Sequence, residues 1–145
     1  MRPALAMALR VTVAEIPEEG VWIRERVDPA AWGVGTPDLT FPSPWAVAAF
    51  FQRQDEAVLV AVEAEGAMDV VCGRCLAVSR QPYHGAFQLA VEIQRRLSID
   101  VTEEVRQEIL LSYPMTWQCQ AACRGLCRVC GGNLNEGPCA CPGPR

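Results

Sequence analysis

The chain has 145 residues, about one domain's worth at roughly 150 residues per domain, and carries eight cysteines, 13 basic and 17 acidic residues for a formal net charge of −4. All the basic residues are arginine, and the acidic balance is the opposite of what a basic nucleic-acid-binding domain shows. The longest apolar run, Pro44 to Phe51, is too short to span a bilayer, so the sequence predicts no transmembrane helix and no membrane partner.

Met1 to Leu9 is apolar but closes with Arg10 and has no small-residue cleavage pattern, so it does not read as a secretory signal and a cytoplasmic location is expected. Leu9 to Ile16 and Val21 to Val27 alternate apolar and polar residues and read as strands joined by the turn Pro17-Glu18-Glu19-Gly20. Residues 28–44, rich in proline and glycine, read as irregular. Ala46 to Gln52, Glu56 to Val62 and Ala67 to Cys72 read as successive strands, with turns at Arg53-Gln54-Asp55 and Glu65-Gly66. Tyr83 to Leu97 places Phe87, Leu89, Val91 and Ile93 on one face at period two. About six antiparallel strands are thus expected, in a curled sheet or barrel that limits exposed edges.

Asp100 to Ser112 is the one convincing helix, with Val101, Val105, Glu108/Ile109 and Ser112 on one face flanked by Leu110 and Leu111, Asp100 or Thr102 as cap, and Pro114 after its end. The fold class is therefore α+β, mainly β. Residues 1–114 form a β-rich domain with a C-terminal helix, and residues 115–145 a cysteine-rich tail packed on it. That tail holds Cys, Gly, Pro and Asn in place of core aliphatics and cannot fold by burial alone; Pro142-Gly143-Pro144-Arg145 reads as disordered.

Residues 1–71 hold five arginines and eleven acids, and residues 72–145 hold eight arginines, six acids and all eight cysteines. The spacing is Cys72-x2-Cys75, then Cys119-x3-Cys123-x3-Cys127-x2-Cys130-x8-Cys139-x1-Cys141. A C-x2-C turn brings two thiolates toward one tetrahedral zinc ion, at a Zn–S distance of about 2.3 Å, and bound zinc supplies the folding free energy such a tail lacks. Contiguity suggests Cys127, Cys130, Cys139 and Cys141 as one four-thiolate site. Cys72, Cys75, Cys119 and Cys123 then form another that staples the tail to the sheet. One zinc with spare thiols, or interleaved ligands, are the other arrangements. Disulfides fit a non-secreted chain poorly, and neither C-x2-C pair precedes a helix in a thioredoxin-like unit. Four thiolates leave no coordination position for substrate, so the two expected zinc ions are structural.

The lone histidine, His84, has no partner motif and reads as a strand or surface residue. Asp100, Glu103, Glu104 and Glu108 are explained by helix-start electrostatics and a solvated face, without catalytic pairing. Trp22, Trp32, Trp45 and Trp117 can stack on bases, but packing accounts for most of them. Arg74, Arg124 and Arg128 lie in or beside the knuckles, where guanidinium groups suit phosphate and also offset thiolate charge. No Ser-His-Asp arrangement, P-loop or dinucleotide fingerprint is present, so neither an enzyme nor a small-molecule substrate is expected.

Val71-Cys72-Gly73-Arg74-Cys75-Leu76, the acidic helix Ile99 to Leu111, and Cys119 to Asn135 followed by Cys139-Ala140-Cys141 together resemble the YceD family, the large ribosomal RNA subunit accumulation proteins. The resemblance covers roughly residues 70–141. Arg124 and Arg128 stand where that family commonly has Lys and Pro. The resemblance implies a bacterial ribosome-biogenesis factor needed for accumulation or maturation of large-subunit (23S) ribosomal RNA, with that RNA or a pre-ribosomal protein as partner. The competing readings are a zinc-stapled protein-interaction module without RNA contact, and a thiol-redox sensor.

Overall fold

The structure, a computed structural model, describes residues 9–139 and 141. The readings of residues 1–8 as free of a secretory signal and of residues 142–145 as a disordered end lie outside the described residues. Seven strands and one helix follow in order: β1 (Arg10–Thr12), β2 (Val21–Val27), β3 (Leu39–Thr40), β4 (Trp45–Gln54), β5 (Ala57–Val71), β6 (Val78–Glu92), β7 (Ser98–Asp100) and α1 (Thr102–Ser112). All pairings are antiparallel.

The 15-residue β5 organises the main sheet. Its one side pairs along its first half with β4 and near its end with β3; its other side pairs with β6 from Ala57↔Glu92 to Val71↔Val78. β2 joins the far side of β4, and β1 and β7 make a separate two-stranded ribbon. The expected barrel does not form: β2 and β6 are open edges of a five-stranded sheet among the described residues. Pro82, within β6, fits an edge strand because it has no N–H to donate to a second neighbour.

Three of the expected boundaries are corrected. Glu65-Gly66 is not a turn: β5 runs through it, and an added Cβ on Gly66 would lie 2.0 Å from Cδ1 of Trp45. Gly66 is there to admit the indole ring. The strand expected from Tyr83 to Leu97 instead begins at Val78 and ends at Glu92, because Gln94 and Arg95 take positive φ (34° and 65°) and break it before β7. The strand expected over Leu9 to Ile16 shrinks to three residues and a 3-10 turn, Val13–Glu15.

Alternation places Val47, Ala49 and Phe51 of β4 and Val58, Val60, Val62, Met68 and Val70 of β5 on one buried face. Val101, Val105 and Ile109, spaced by four on or beside α1, complete that core and are fully buried. The N-cap position is taken by Val101, which offers no side-chain cap, in place of the expected Asp100 or Thr102; the Asp100 carboxylate, one residue earlier, accepts from Thr102 N–H (2.9 Å). The opposite face of the sheet is open: Trp22 is 48% exposed, its ring tilted against that of Phe50 (centroids 4.9 Å) with Arg24 over it. His84 is exposed on that same face of β6. Among the described residues no helix is long and apolar enough to cross a membrane.

Candidate metal centres

Both C-x2-C segments fold into the same turn, bond for bond. In the first, at the β5–β6 connection, Cys72 N–H donates to Ala77 O (2.9 Å) and Leu76 N–H to Cys72 O (3.0 Å). In the second, Cys127 N–H donates to Gly132 O (2.8 Å) and Gly131 N–H to Cys127 O (3.0 Å). The backbone N–H two residues on points at the first sulfur in each: Arg74 N to Cys72 Sγ and Val129 N to Cys127 Sγ, both 3.4 Å. The fifth position must be left-handed, and Gly131 (φ 73°) meets that without strain while Leu76 (φ 61°) meets it with its side chain 62% exposed.

The eight sulfurs gather in two groups, Cys72/Cys75/Cys119/Cys123 and Cys127/Cys130/Cys139/Cys141, each with all sulfurs within 4.8 Å of one another. This is the partition suggested by contiguity. The Cys72–Cys123 and Cys75–Cys119 sulfurs are 3.7 Å apart, and those of Cys127 and Cys139 3.5 Å. Tetrahedral zinc with Zn–S near 2.3 Å requires S–S separations of about 3.8 Å, so both groups fit that ion.

The first, inner, group is built into the body of the protein. Cys72, Cys75 and Cys123 are buried, and Cys119 and Leu126 pack against them. Its second half is delivered by the chain after α1, which is pinned twice: Gly73 N–H donates to Trp117 O (2.7 Å) and Gln81 Nε2 to Gln118 O (2.8 Å). A chain of aromatic rings connects that segment to the sheet, from Trp45 stacked on Tyr83 (4.6 Å), through Tyr113 (5.9 Å), to Trp117 (5.6 Å). Tyr113 Oη also donates to Val34 O (2.9 Å). Of the four tryptophans, Trp32 and Trp45 are therefore core, Trp117 is half-buried beside the inner group, and only Trp22 faces solvent.

The outer group is held by the tail alone. Cys130 is exposed and the other three cysteines are half-buried. Leu126 and Asn133 form a β-bridge that closes its knuckle.

The thiols divide in the same way within each group. Backbone N–H groups of the turn, that of Cys75 foremost, hold Cys72 down from an ordinary 9.0 to about 6. Cys127 is likewise held at about 6 by the backbone N–H groups of Cys130 and Val129. Burial pushes Cys119 up to about 12, and the neighbouring Cys130 sulfur, followed by burial, pushes Cys141 up to about 12. Cys123 is lowered, first by a hydrogen bond from Asn135. Thiolates ionise one at a time in such a cluster until a cation compensates their mutual repulsion.

The three knuckle arginines are separated by their roles. Arg74 Nη1 donates to Cys123 O (3.2 Å). Arg74, Arg124 and Arg128 are all exposed, and Arg74 alone of the three is tied to an inner-group cysteine. Asn135, which the cysteine spacing does not single out, is the added functional residue: its Nδ2 lies 3.3 Å from Cys123 Sγ. The carboxylates at the helix start make no cluster with the cysteines; Glu103 pairs with Arg106 (2.7 Å) on the surface of α1.

Comparison with known proteins bears on the part of the chain that holds α1 and most of the cysteines. No solved structure matches the chain. A protein of Arabidopsis thaliana named large ribosomal RNA subunit accumulation protein YCED homolog 1, chloroplastic, is 40% identical over 43 residues, 30% of this chain. That match spans 13% of the relative's own length. Residues 91–145 match the family model described as large ribosomal RNA subunit accumulation protein YceD, a partial match to that family.

Proposed function

We propose that this protein is a non-enzymatic factor for accumulation or maturation of large-subunit ribosomal RNA, stapled by two structural zinc ions and working in the cytoplasm. The observation that carries the reading is the coincidence of the family match with the two four-sulfur groups: residues 91–145 include six of the eight cysteines. Each zinc supplies a cross-link whose binding free energy becomes folding free energy. The chain's own residues supply the rest: the turn N–H groups ionise one thiol in each group, and the aromatic chain carries the inner group's position to the sheet.

Charge decides how such a factor meets its target. Two four-thiolate sites, each holding a +2 ion, lower the formal net charge from −4 to about −8. Non-specific attraction to RNA is then unfavourable. Contact runs through the exposed Arg74, Arg124 and Arg128, or through a protein of the pre-ribosomal particle.

The test is depletion in the parent organism. Large-subunit ribosomal RNA is expected to fall relative to small-subunit RNA and to be restored by the wild-type chain; an unchanged ratio overturns the reading. Native mass spectrometry of the purified chain, with and without chelator, is expected to show two zinc ions lost together with the compact charge-state distribution.

A further inference from the structure

The segment Asn133-Leu134-Asn135 lies in sequence between two cysteines of the outer group, Cys130 and Cys139. Its start is fastened to the outer knuckle through the Leu126–Asn133 bridge. Leu134 N–H then donates to Gly125 O (2.9 Å), and Asn135 N–H to Asn133 Oδ1 (2.9 Å). The end of the segment projects the Asn135 carboxamide into the other cluster. Its Oδ1 accepts from Arg124 N–H (2.9 Å) and Gln120 Nε2 (3.3 Å), both within the stretch that carries Cys119 and Cys123. A carboxamide has one accepting and one donating end. With two N–H donors on the oxygen, the NH2 end faces Cys123 Sγ at 3.3 Å.

We propose that Asn135 couples the two metal sites, so that filling the outer site strengthens metal retention by the inner one. The proposal rests on the zinc reading above. An outer-site ion fixes both ends of the eight-residue stretch between Cys130 and Cys139, removing the backbone freedom that otherwise opposes placing the carboxamide. The placed N–H then donates to the Cys123 sulfur and withdraws charge from an inner site that is formally −2 when loaded. Outer-sphere partners of this kind typically change metal affinity by about 10- to 100-fold. Coupling of two binding equilibria is reciprocal, so the inner ion strengthens the outer site by the same factor.

The discriminating substitution is Asn135→Asp, which keeps an oxygen for Arg124 N–H but has no N–H for the sulfur. The full chain is loaded with cobalt(II) and challenged with graded chelator; native mass spectrometry counts the ions, and the sulfur-to-cobalt absorption reports both four-sulfur groups in wild type and chiefly the inner one once the outer serines are in place. The variant Cys139→Ser/Cys141→Ser is expected to hold its inner ion about tenfold more weakly than wild type. In an Asn135→Asp background the same pair of serines is expected to change inner retention less than about twofold. With the outer serines in place, Asn135→Asp is expected to shift the inner charge-transfer band. Inner retention indifferent to the outer serines, or weakened equally in both backgrounds, overturns the coupling while leaving two metals bound. A wild-type chain that binds no cobalt overturns the metal reading itself. If the serine variant does not fold, partial loading decides: the one-metal species is to be scarcer in wild type than in Asn135→Asp, and equal populations overturn the proposal.

Discussion

The inner and outer clusters are built on the same turn and set in opposite surroundings. The inner one takes Cys72 and Cys75 from the end of β5 and its other two ligands from beyond α1, after 43 intervening residues. Cys72 has no solvent exposure and Cys75 and Cys123 keep 5% and 3%. The outer one lies wholly within residues 127–141, with Cys130 exposed. An ion in the first would close a long loop and join two parts of the fold, while one in the second would organise one short segment. Closing a longer loop removes more freedom from the unfolded chain, and burial ties the inner sulfurs to packing that the outer sulfurs lack. Identical local chemistry is thus put to two uses, tertiary staple and local brace.

The comparison is broken most forcefully by removing one ligand from each side. Cys72→Ser places a poorer ligand in a fully buried position and is expected to lose the inner ion. A loss of about 3 kcal/mol or more follows, a fall of about 10 °C in thermal midpoint for a domain of this size. Cys130→Ser is expected to lose the outer ion and leave the sheet's unfolding within about 5 °C of wild type. Calorimetry with metal counting checks both. Equal falls for the two variants would erase the distinction between staple and brace.

The next effect in size tests whether the staple is anchored through the rings. Tyr113 is half-buried between Tyr83 and Trp117 and donates to Val34 O. Tyr113→Ala is expected to cost about 2–3 kcal/mol in denaturant unfolding, and Tyr113→Phe, which drops only the hydrogen bond, about 1 kcal/mol. Trp117 emission is expected to respond to loading of the inner site and not of the outer one. A Tyr113→Ala variant as stable as wild type would mean that the inner cluster stands apart from the sheet.

How much of this was legible in the sequence follows the same divide. The grouping of the sulfurs is readable because a C-x2-C turn is a local structure and contiguity groups the remaining thiols. Val21–Val27 and the helix face Val101/Val105/Ile109 were readable because periodicity reports which face is buried. What was hidden depended on distant partners. Gly66 reads as a turn until Trp45, on the adjoining strand β4, fills the space where its Cβ would stand. The barrel was an inference from strand count, and count does not say whether β2 reaches β6. Asn135 resembles any turn asparagine beside a glycine-rich knuckle; only the fold brings it to Cys123. Leu76 carries no warning in the sequence that its backbone takes the conformation Gly131 takes in the second knuckle.

The smallest expected difference between the clusters lies in pH. Both first cysteines, Cys72 and Cys127, are held at about 6 against an ordinary 9.0. The cause is shared: the N–H groups of the turn point at the first sulfur in each case, and a thiolate accepts them better than a thiol does. Because the folded value is depressed, the stabilisation belongs to the thiolate. It is fully present above about pH 9 and is lost as pH falls toward 6. Metal capture by the ion-free protein begins at a thiolate, so the cobalt uptake rate is expected to hold steady down to about pH 6 and fall about tenfold per unit below it. Stopped-flow absorption on wild type and on the Cys139→Ser/Cys141→Ser variant reads the inner site with and without the outer one. The same inflection in both would show that the inner turn sets its first ionisation without help from the outer cluster. An inflection near 9 in either would mean that the turn N–H groups leave the first thiol protonated, and the turn would lose its part in metal capture.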